Sequence, residues 1–527
     1  MGVPTSGSFS MFGNSDNTTI QGAITEGGGS VASADDFNEL IAASNVSLFD
    51  TTHSGNLSGS LSNVTNANQY RGYPASVAST AFAFTYTFPA GGTYAAAVNL
   101  NGTSSEYNAT WTWGDGATTS ITSNANLART IADNSGGGST STYNGNLVAS
   151  TTETFPEFNI SNFNITDITA WGNIKWKKLT LQGASTSLNI SASDTPNLDR
   201  CTSLESCFQG LTNFNDSNVN NWGTAFIPIF SSMFHGASAF NQDIGGWNML
   251  SATNFLQMFM NATSFNQNIS FWDTAKVTSM VNMFAGATAF NQNIGSWNVG
   301  SVTATNGMFS GATSFNQSLN SWNMSSVTQT DSMFNGATSF NQSCNSWNMS
   351  SVQTMSSMFE GATSFNGNIT SWNTSAALLM TEMFKNAVLF NQDISNWDVS
   401  NVISMRKMFQ GAEEFNQDLS GWDTSSVTDM AYMFSQGDGE LGMYTNFSLA
   451  SWDISNVEYM DGMFNGGGSL SDANYKATII GWAAQSTQSN VNVDFSTARL
   501  TDAAGQAART TLVGRGWTII DGDGTHT

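Results

Sequence analysis

The chain repeats itself every 25 residues between positions 222 and 434, and this period restricts its possible folds more than any other feature. Tryptophan recurs in this step at Trp222, Trp247, Trp272, Trp297, Trp322, Trp347, Trp372, Trp397 and Trp422. Phenylalanine follows the same step at Phe234, Phe259, Phe284, Phe309, Phe334, Phe359, Phe384, Phe409 and Phe434. A fixed period of this length is typical of solenoids, in which each repeat buries its apolar face only by stacking on its neighbours. We therefore expect most of the chain to be a scaffold of stacked repeats.

The best-preserved repeat, residues 276–297, shows what each repeat should contain. Val277, Met280, Met283 and Phe284 have helical spacing, which predicts a short helix or 3₁₀ turn with one buried face. The position two after the phenylalanine, Gly286 here, is Gly or Asn in the repeats, the residues that best tolerate the left-handed conformation closing a helix. We expect a short strand over residues 290–294 that adds to a parallel sheet.

An asparagine column accompanies this expected strand. It comprises Asn241, Asn266, Asn291, Asn316, Asn341, Asn366, Asn391 and Asn416, and glutamine follows in every case but one, where Gly367 stands. The column could be a binding strip. We favour an internal ladder of hydrogen bonds, because solenoid turns leave backbone groups that need partners.

Composition excludes several partners. The chain has 38 Asp and Glu against 14 Lys and Arg, a net charge of −24, which argues against nucleic-acid binding. No stretch approaches 18 apolar residues, so we expect no membrane insertion. The first residues lack a basic segment followed by an apolar one, so we expect no secretory signal. Cys201, Cys207 and Cys344 occupy columns that hold Val, Met and Ile in other repeats, so we expect three buried free thiols.

Motifs for catalysis are absent from the sequence. We find no P-loop, GxSxG or strand-associated GxGxxG pattern and no grouping of histidine with a nucleophile. Asp393 and Asp418 stand one repeat apart, which is better explained as surface charge than as a glycosidase pair. The Asp- and Gly-rich segments at 438–440 and 521–524 lack the full acidic spacing of a calcium loop. We therefore expect no enzyme activity, no cofactor and no metal.

Candidate contact residues are few. Outward positions in the repeats are small and polar, and Phe271 is the one aromatic residue on that face. The interval from Trp422 to Trp452 is 30 residues instead of 25, and the insertion contains Met443, Tyr444 and Phe447. Because insertions into solenoids form surface loops, these three are our candidate contacts, although a slack loop that packs its own aromatics is the simpler alternative.

Four segments follow from the pattern. Residues 1–75 form a small-polar arm, and residues 76–156 contain β-strands, with long loops expected over 117–150. Residues 157–468 form the repeats, and residues 469–527 form a C-terminal capping unit. In the capping unit we expect a helix capped by Ser471, a strand over 491–495, a helix capped by Thr501 and a strand over 517–520.

Two motifs carry a family resemblance. The hairpin sequence Trp113-Gly114-Asp115-Gly116 resembles that of PKD-like β-sandwich domains, which are spacers without chemistry. The order of this hairpin, the segment 171–176 and repeats of the form VTxMxxMFxGAxxFNQxIxxW resembles the BspA-type leucine-rich-repeat family. The resemblance implies an α/β chain: a leucine-rich-repeat solenoid with short parallel strands and helical turns, preceded by a small PKD-like β-sandwich.

The N-terminus carries a different resemblance. Residues 1–11, MGVPTSGSFSM, and residues 70–74, YRGYP, are similar to the N-terminal segments of virion structural proteins of marine tailed bacteriophages. This resemblance implies an arm that docks on other virion proteins, and a chain located on the virion surface after assembly in the host cytoplasm. We expect a homo-oligomeric tail fibre or appendage that binds a host surface protein or glycan. The alternatives are a capsid decoration protein, a cellular adhesin and a polysaccharide-degrading tailspike.

Overall fold

The structure is a computed structural model that describes residues 164–436, 447–466 and 470–527, together with the strands preceding residue 164. The N-terminal arm, residues 1–75, lies outside the described residues. So do the turn that contains the WGDG motif and most of the insertion after Phe434.

Strands dominate the chain before the repeats. They are β1 (Phe82–Phe88), β2 (Thr93–Asn99), β3 (Ala109–Thr112), β4 (Thr118–Ile121), β5 (Leu127–Ala132), β6 (Ser141–Ala149), β7 (Thr154–Phe155), β8 (Phe158–Ser161) and β9 (Asn164–Ala170). Three short strands follow: β10 (Lys175–Trp176), β11 (Leu179–Thr180) and β12 (Asn189–Ile190). The expectation of long loops over 117–150 is wrong, because β4, β5 and β6 lie there. Their Ser- and Thr-rich sequences hid the strands, although Thr itself favours strands.

These strands form three sheets. One has the order β12-β9-β1-β6-β3-β4, a second has the order β11-β8-β2-β5, and β10 pairs with β7. In strand β1, Phe82 and Phe84 are both buried, since side chains two residues apart lie on the same face of a strand. Strands β3 and β4, which precede and follow the WGDG motif in the sequence, pair antiparallel.

The sheets continue directly into the repeats. Strands β7, β8 and β9 pair in parallel with β10, β11 and β12, each about 21 residues later in the chain. Strands β7, β8 and β9 therefore lie against the first, irregular repeat as an additional layer. The other edges of β8 and β9 pair with β2 and β1, so the strand region extends beyond the expected boundary at residue 156.

Successive repeats stack through single-residue parallel bridges. We call each repeat a coil and each set of positions that recurs along the chain a column. The bridge column is Ser203, Ile229, Asn254, Ser279, Ala304, Gln329, Thr354, Leu379, Ser404, Asp429 and Tyr459. The strand expected over 290–294 is not formed, and the bridge lies instead one residue before Met280.

The helical turn expected over 277–284 is also not formed. Within each coil, backbone N–H groups donate alternately inside the coil and to the next coil. Met283 N donates to the carbonyl of Met280 at 3.1 Å, whereas Phe284 N donates to Met308 at 2.9 Å. In this coil, Asn282 (φ 54°) and Gly286 (φ 69°) adopt the left-handed backbone conformation, which points alternate N–H groups toward the next coil. A helix would have kept all of these bonds inside one coil.

Aromatic columns fill the interior of the stack. Phe284 stacks on Phe259 and Phe309 with ring centres 5.6 and 5.7 Å away, and packs on Phe290 of its own coil at 3.9 Å. The indole N–H of Trp297 donates to the carbonyl of Ile269, 3.1 Å away in the preceding coil. From Trp247 to Trp422, each tryptophan of this column is buried with its indole N–H hydrogen-bonded to the preceding coil.

The C-terminal unit continues the stack with regular elements. They are α1 (Asp472–Ala483), β13 (Asn492–Asp494), α2 (Ala503–Val513), β14 (Thr518–Asp521) and β15 (Gly524–His526); a 3₁₀ helix, Ser217–Asn221, lies earlier in the repeats. Ser471 caps α1 as expected, but Asp502 and not Thr501 caps α2, accepting from Gly505 N at 2.9 Å. Phe495 stacks on Phe464 of the last coil at 5.7 Å.

The three cysteines are buried and free. Burial raises the pKa of the Cys201 thiol to about 12 and also raises the pKa values of the Cys207 and Cys344 thiols. These thiols therefore stay protonated at neutral pH. In the part of the chain that the structure describes, no helix is long and apolar enough to cross a membrane.

Candidate interaction surface

The asparagine column forms hydrogen bonds from coil to coil. The Oδ1 atom of each asparagine accepts from the backbone N–H of the next, at 2.8–3.1 Å from Asn241 to Asn416. The glutamine that follows adds a second bond, as from Gln292 Nε2 to Asn266 Oδ1 at 2.9 Å. At Gly367 this second bond is lost, because glycine has no side-chain amide. A Cβ at this position would also overlap the carbonyl oxygen of Gln342. These side chains are used within the stack, which favours a structural role.

The candidate contact residues from the sequence differ in their exposure. Phe271 is 85% exposed at a turn before Trp272, and Phe226 and Leu250 are also exposed in the first coils. Phe447 is buried, with its ring edge-on to Phe434 at 6.1 Å, so its assignment as a surface contact is wrong. An aromatic residue in an insertion can return to the core, and the sequence did not reveal this. Met443 and Tyr444 lie outside the described residues.

A different surface carries the strongest departures from the repeat pattern. We define the bridge face as the partly exposed side chains of the bridge column and its neighbours. The column before the bridge reads Thr253, Thr278, Thr303, Thr328, Gln353, Leu378, Ile403, Thr428 and Glu458. Leu378, Leu379 and Ile403 are 37–45% exposed, although their columns hold mostly polar residues elsewhere. These three form what we call the apolar step, and Ile403 N donates to Leu378 O at 2.8 Å.

Charged residues concentrate beside the apolar step. Of the Lys and Arg residues between 202 and 466, namely Lys276, Lys385, Arg406 and Lys407, all but the first lie here. Lys385 bridges Glu360 at 2.8 Å and Glu382 at 3.3 Å, and Lys407 reaches Glu382 at 3.3 Å. The sequence contained this signal, since Thr and Ser columns change to Leu, Ile and charged residues within two repeats. Sequence reasoning that looked only at the asparagine side of the repeat missed it.

The ion pairs shift the pKa values of Glu382 and Lys385. Partial burial alone would raise the pKa of Glu382, but hydrogen bonds and charge from Lys385 and Lys407 hold it below its ordinary value. Burial would lower the pKa of Lys385, and Glu360 and Glu382 outweigh this and raise it. Both side chains therefore stay charged at neutral pH. These positive charges are paired, so the network is nearly neutral within an acidic protein.

Two tyrosines follow the network along the stack. The Arg406 guanidinium lies over the Tyr432 ring, 5.4 Å from its centre, and Arg406 Nη1 is 3.9 Å from Asp429. Tyr432 adopts φ 59°, and Tyr459 in the next coil is 54% exposed. Tyr and Arg are the residue types that most often dominate binding energy at interfaces.

A cleft ends this face where the last coil meets the C-terminal unit. Tyr432, Asp461, Asn465, Asn492, Thr518 and Ile520 line it, together with Gly462, Val493 and Asp494. Its floor is held by the parallel pair β13–β14 and by a hydrogen bond of 3.1 Å from Asn492 Nδ2 to Asp461. Ile520 is 41% exposed.

The arrangement suits non-covalent contact. The bridge face offers an apolar step, paired charges, two tyrosines and a polar cleft, in this order along the stack. Among the described residues, no group of three or more His, Cys, Asp and Glu could hold a metal ion.

A family model matches most of the repeat region. It is described as "Mycoplasma protein of unknown function, DUF285", and it matches residues 178–275, 267–372, 342–446 and 389–502. Together these segments span 178–502, more than half of the 527 residues. No curated protein and no solved structure shows a significant match.

Proposed function

Because the chain belongs to the DUF285 family, we propose that it is a surface-exposed repeat protein that attaches through the bridge face and catalyses no reaction. The observation that carries this proposal is the apolar step. Leu378, Leu379 and Ile403 interrupt polar columns at adjacent positions. They expose apolar surface to solvent, which is unfavourable and which the stacking of the coils does not require. The neighbouring charges and tyrosines resemble the polar rim of a binding interface.

We propose a solenoid of the leucine-rich-repeat type as the architecture, with a PKD-like sandwich before it. Regular parallel bridges, aromatic columns and a covered C-terminal end support the solenoid. Such a stack holds a contact surface rigid, which lowers the entropy lost on binding.

The finer proposal is an appendage of a phage particle, docked through residues 1–75 and binding a host surface protein or glycan, as a homo-oligomer on the virion. It rests on the resemblance of residues 1–11 and 70–74 to virion proteins. A cellular adhesin is the second candidate, and family membership favours it. A capsid decoration protein without a receptor is the third.

Attachment can be tested with the fluorescently labelled full-length chain on intact host cells. We expect saturable binding that unlabelled chain displaces. Replacing Leu378, Leu379 and Ile403 by Thr, Ser and Thr, the residue types of their columns, should weaken binding at least about tenfold, a loss of about 1.4 kcal/mol. The control is Leu389→Ser, since Leu389 is 48% exposed in a different column.

Equal binding by the triple variant and the wild-type chain would exclude the apolar step as the contact. Location is tested by immunogold labelling of purified particles and of intact cells. Gold at the distal tail is expected for the appendage, gold on capsid faces would exclude it, and gold on cells alone would favour the adhesin. Light scattering on the purified chain tests the homo-oligomer.

A further inference from the structure

We propose that the cleft between the last coil and the C-terminal unit binds a neutral sugar unit of a surface glycan. The inference rests on the proposed attachment function and names the ligand class of one part of the bridge face. It is carried by the lining of the cleft, which combines hydrogen-bonding side chains with a ring and an apolar edge.

The polar groups match vicinal hydroxyls. A sugar hydroxyl both donates and accepts, so it pairs best with carboxylates, amides and hydroxyls. The cleft presents Asp461, Asn465, Asn492 and Thr518. The Asn465 amide is exposed and makes no side-chain hydrogen bond within the described residues, and Asn492 uses only its Nδ2 group, toward Asp461. Their remaining donors and acceptors can therefore serve a ligand.

The apolar groups match the C–H face of a pyranose. Ile520 is 41% exposed at one wall, and Tyr432 forms another. Glycine at position 462 leaves room for the Tyr432 ring, because a Cβ there would collide with Tyr432 Cδ1 and Cε1. The Arg406 guanidinium also packs over the Tyr432 ring, 5.4 Å from its centre. The ring position is thus set before any ligand arrives, which reduces the ordering cost of binding.

The charge of the lining selects against anionic sugars. Asp461 and Asp494 line the cleft, and no Lys or Arg does. The chain as a whole carries −24, so an acidic sugar meets repulsion both locally and at long range. Junctions between structural units are also frequent ligand sites.

The test uses the full-length chain and saturation-transfer NMR with D-galactose, N-acetyl-D-glucosamine and D-glucuronic acid. We expect transfer to at least one neutral sugar and none to the acid. Asn465→Ala combined with Thr518→Val should reduce affinity for that sugar about tenfold or more. Asn396→Ala, an exposed asparagine at a repeat turn away from the cleft, should leave affinity unchanged.

The proposal would be overturned if the folded chain bound neither neutral sugar, or if it preferred the acid. It would also be overturned if Ca²⁺ changed the NMR chemical shifts of the protein and no sugar did. Unfolding curves of the double variant establish that it is folded. Cell binding distinguishes the two proposals: cell binding that is insensitive to the double variant and to all three sugars refutes the sugar site and leaves attachment standing. Sugar binding without cell binding would refute the attachment function and leave the sugar site standing.

Discussion

The side-chain Oδ1 of Asn266 accepts a hydrogen bond of 2.9 Å from the backbone N–H of Asn291, one repeat later in the chain. Asn291 in turn accepts from Asn316 N and Gln317 Nε2, both at 3.0 Å. Asn291 thus links three coils, donating its backbone N–H to the coil before it and accepting through its side-chain oxygen from the coil after it. Asparagine recurs at this position because each coil needs a hydrogen-bond acceptor there. No ligand is needed to explain why the residue recurs.

Asn291→Ala should destabilise the chain by about 1–3 kcal/mol, since it leaves the partly buried Asn316 N–H without its partner. Asn291→Asp keeps an acceptor at Oδ1 and should lose less. Urea unfolding followed by tryptophan fluorescence measures the difference, and hydrogen exchange of the Asn316 amide gives a local readout. Asn396→Ala is the control. An unchanged exchange rate at Asn316 in Asn291→Ala would contradict the assigned role of the ladder.

Gly367→Gln restores the residue found in the other repeats and should nevertheless destabilise the chain. A Cβ at Gly367 would overlap the carbonyl oxygen of Gln342, so the backbone must move before the ladder bond can form. We expect a loss of about 1–3 kcal/mol, the usual range for forcing atoms into a packed site. Ser318→Asn, which introduces the residue found at the same position as Asn268, Asn293 and Asn368, should be neutral at this exposed site. A stabilised Gly367→Gln protein would show that the close approach is not maintained.

Ser357→Gly should stabilise the chain by about 0.5–1 kcal/mol. Ser357 has φ 55°, a conformation that costs an L-residue about 1–2 kcal/mol and glycine little. Gly307 already occupies the same column with φ 60°. Ser356→Gly is the matched control, and it should destabilise because it adds freedom to the unfolded chain without relieving strain. Thermal unfolding midpoints that move in the same direction for both variants would refute the strain argument.

Asp521 should make stability depend on acid pH. Burial alone would raise the pKa of its carboxyl, but hydrogen bonds from Tyr475 Oη at 2.7 Å and Arg509 Nη1 at 2.8 Å outweigh burial and lower it. A lowered folded-state pKa stabilises the protein above the ordinary Asp pKa of about 3.9, and this contribution is lost as pH falls through the folded-state value.

The free energy of unfolding of wild-type protein should therefore exceed that of Asp521→Asn most at neutral pH, and the gap should narrow with acidification. Tyr475→Phe removes one donor, so its acid transition should begin at higher pH than in wild type. Urea titrations at several pH values measure both effects. A gap that widens on acidification would show that the pKa of Asp521 is raised.

The sequence by itself determined the stacked repeats, the columns that are buried and the column that bonds from coil to coil. It could do so because a strict period places equivalent residues at equivalent positions of successive coils. Which side chains are buried and which pair between coils can therefore be inferred from the sequence. The indole and phenyl columns, the Asn266–Asn291 bond and the α1 cap at Ser471 all belong to this class.

Only the tertiary structure decided the backbone of each coil and the surface that departs from the pattern. The spacing of Val277, Met280 and Phe284 fits a helix, yet bonds to neighbouring coils, which no single repeat contains, draw alternate N–H groups along the stack. Ser357 and Tyr432 adopt left-handed conformations although neither is glycine, because packing between coils imposes the backbone that Gly307 adopts in the same column. Phe447 returns to the core for the same reason. The residue changes that make the apolar step are visible in the sequence, but the exposure of Leu378, Leu379 and Ile403 and the lining of the cleft depend on how the coils stack.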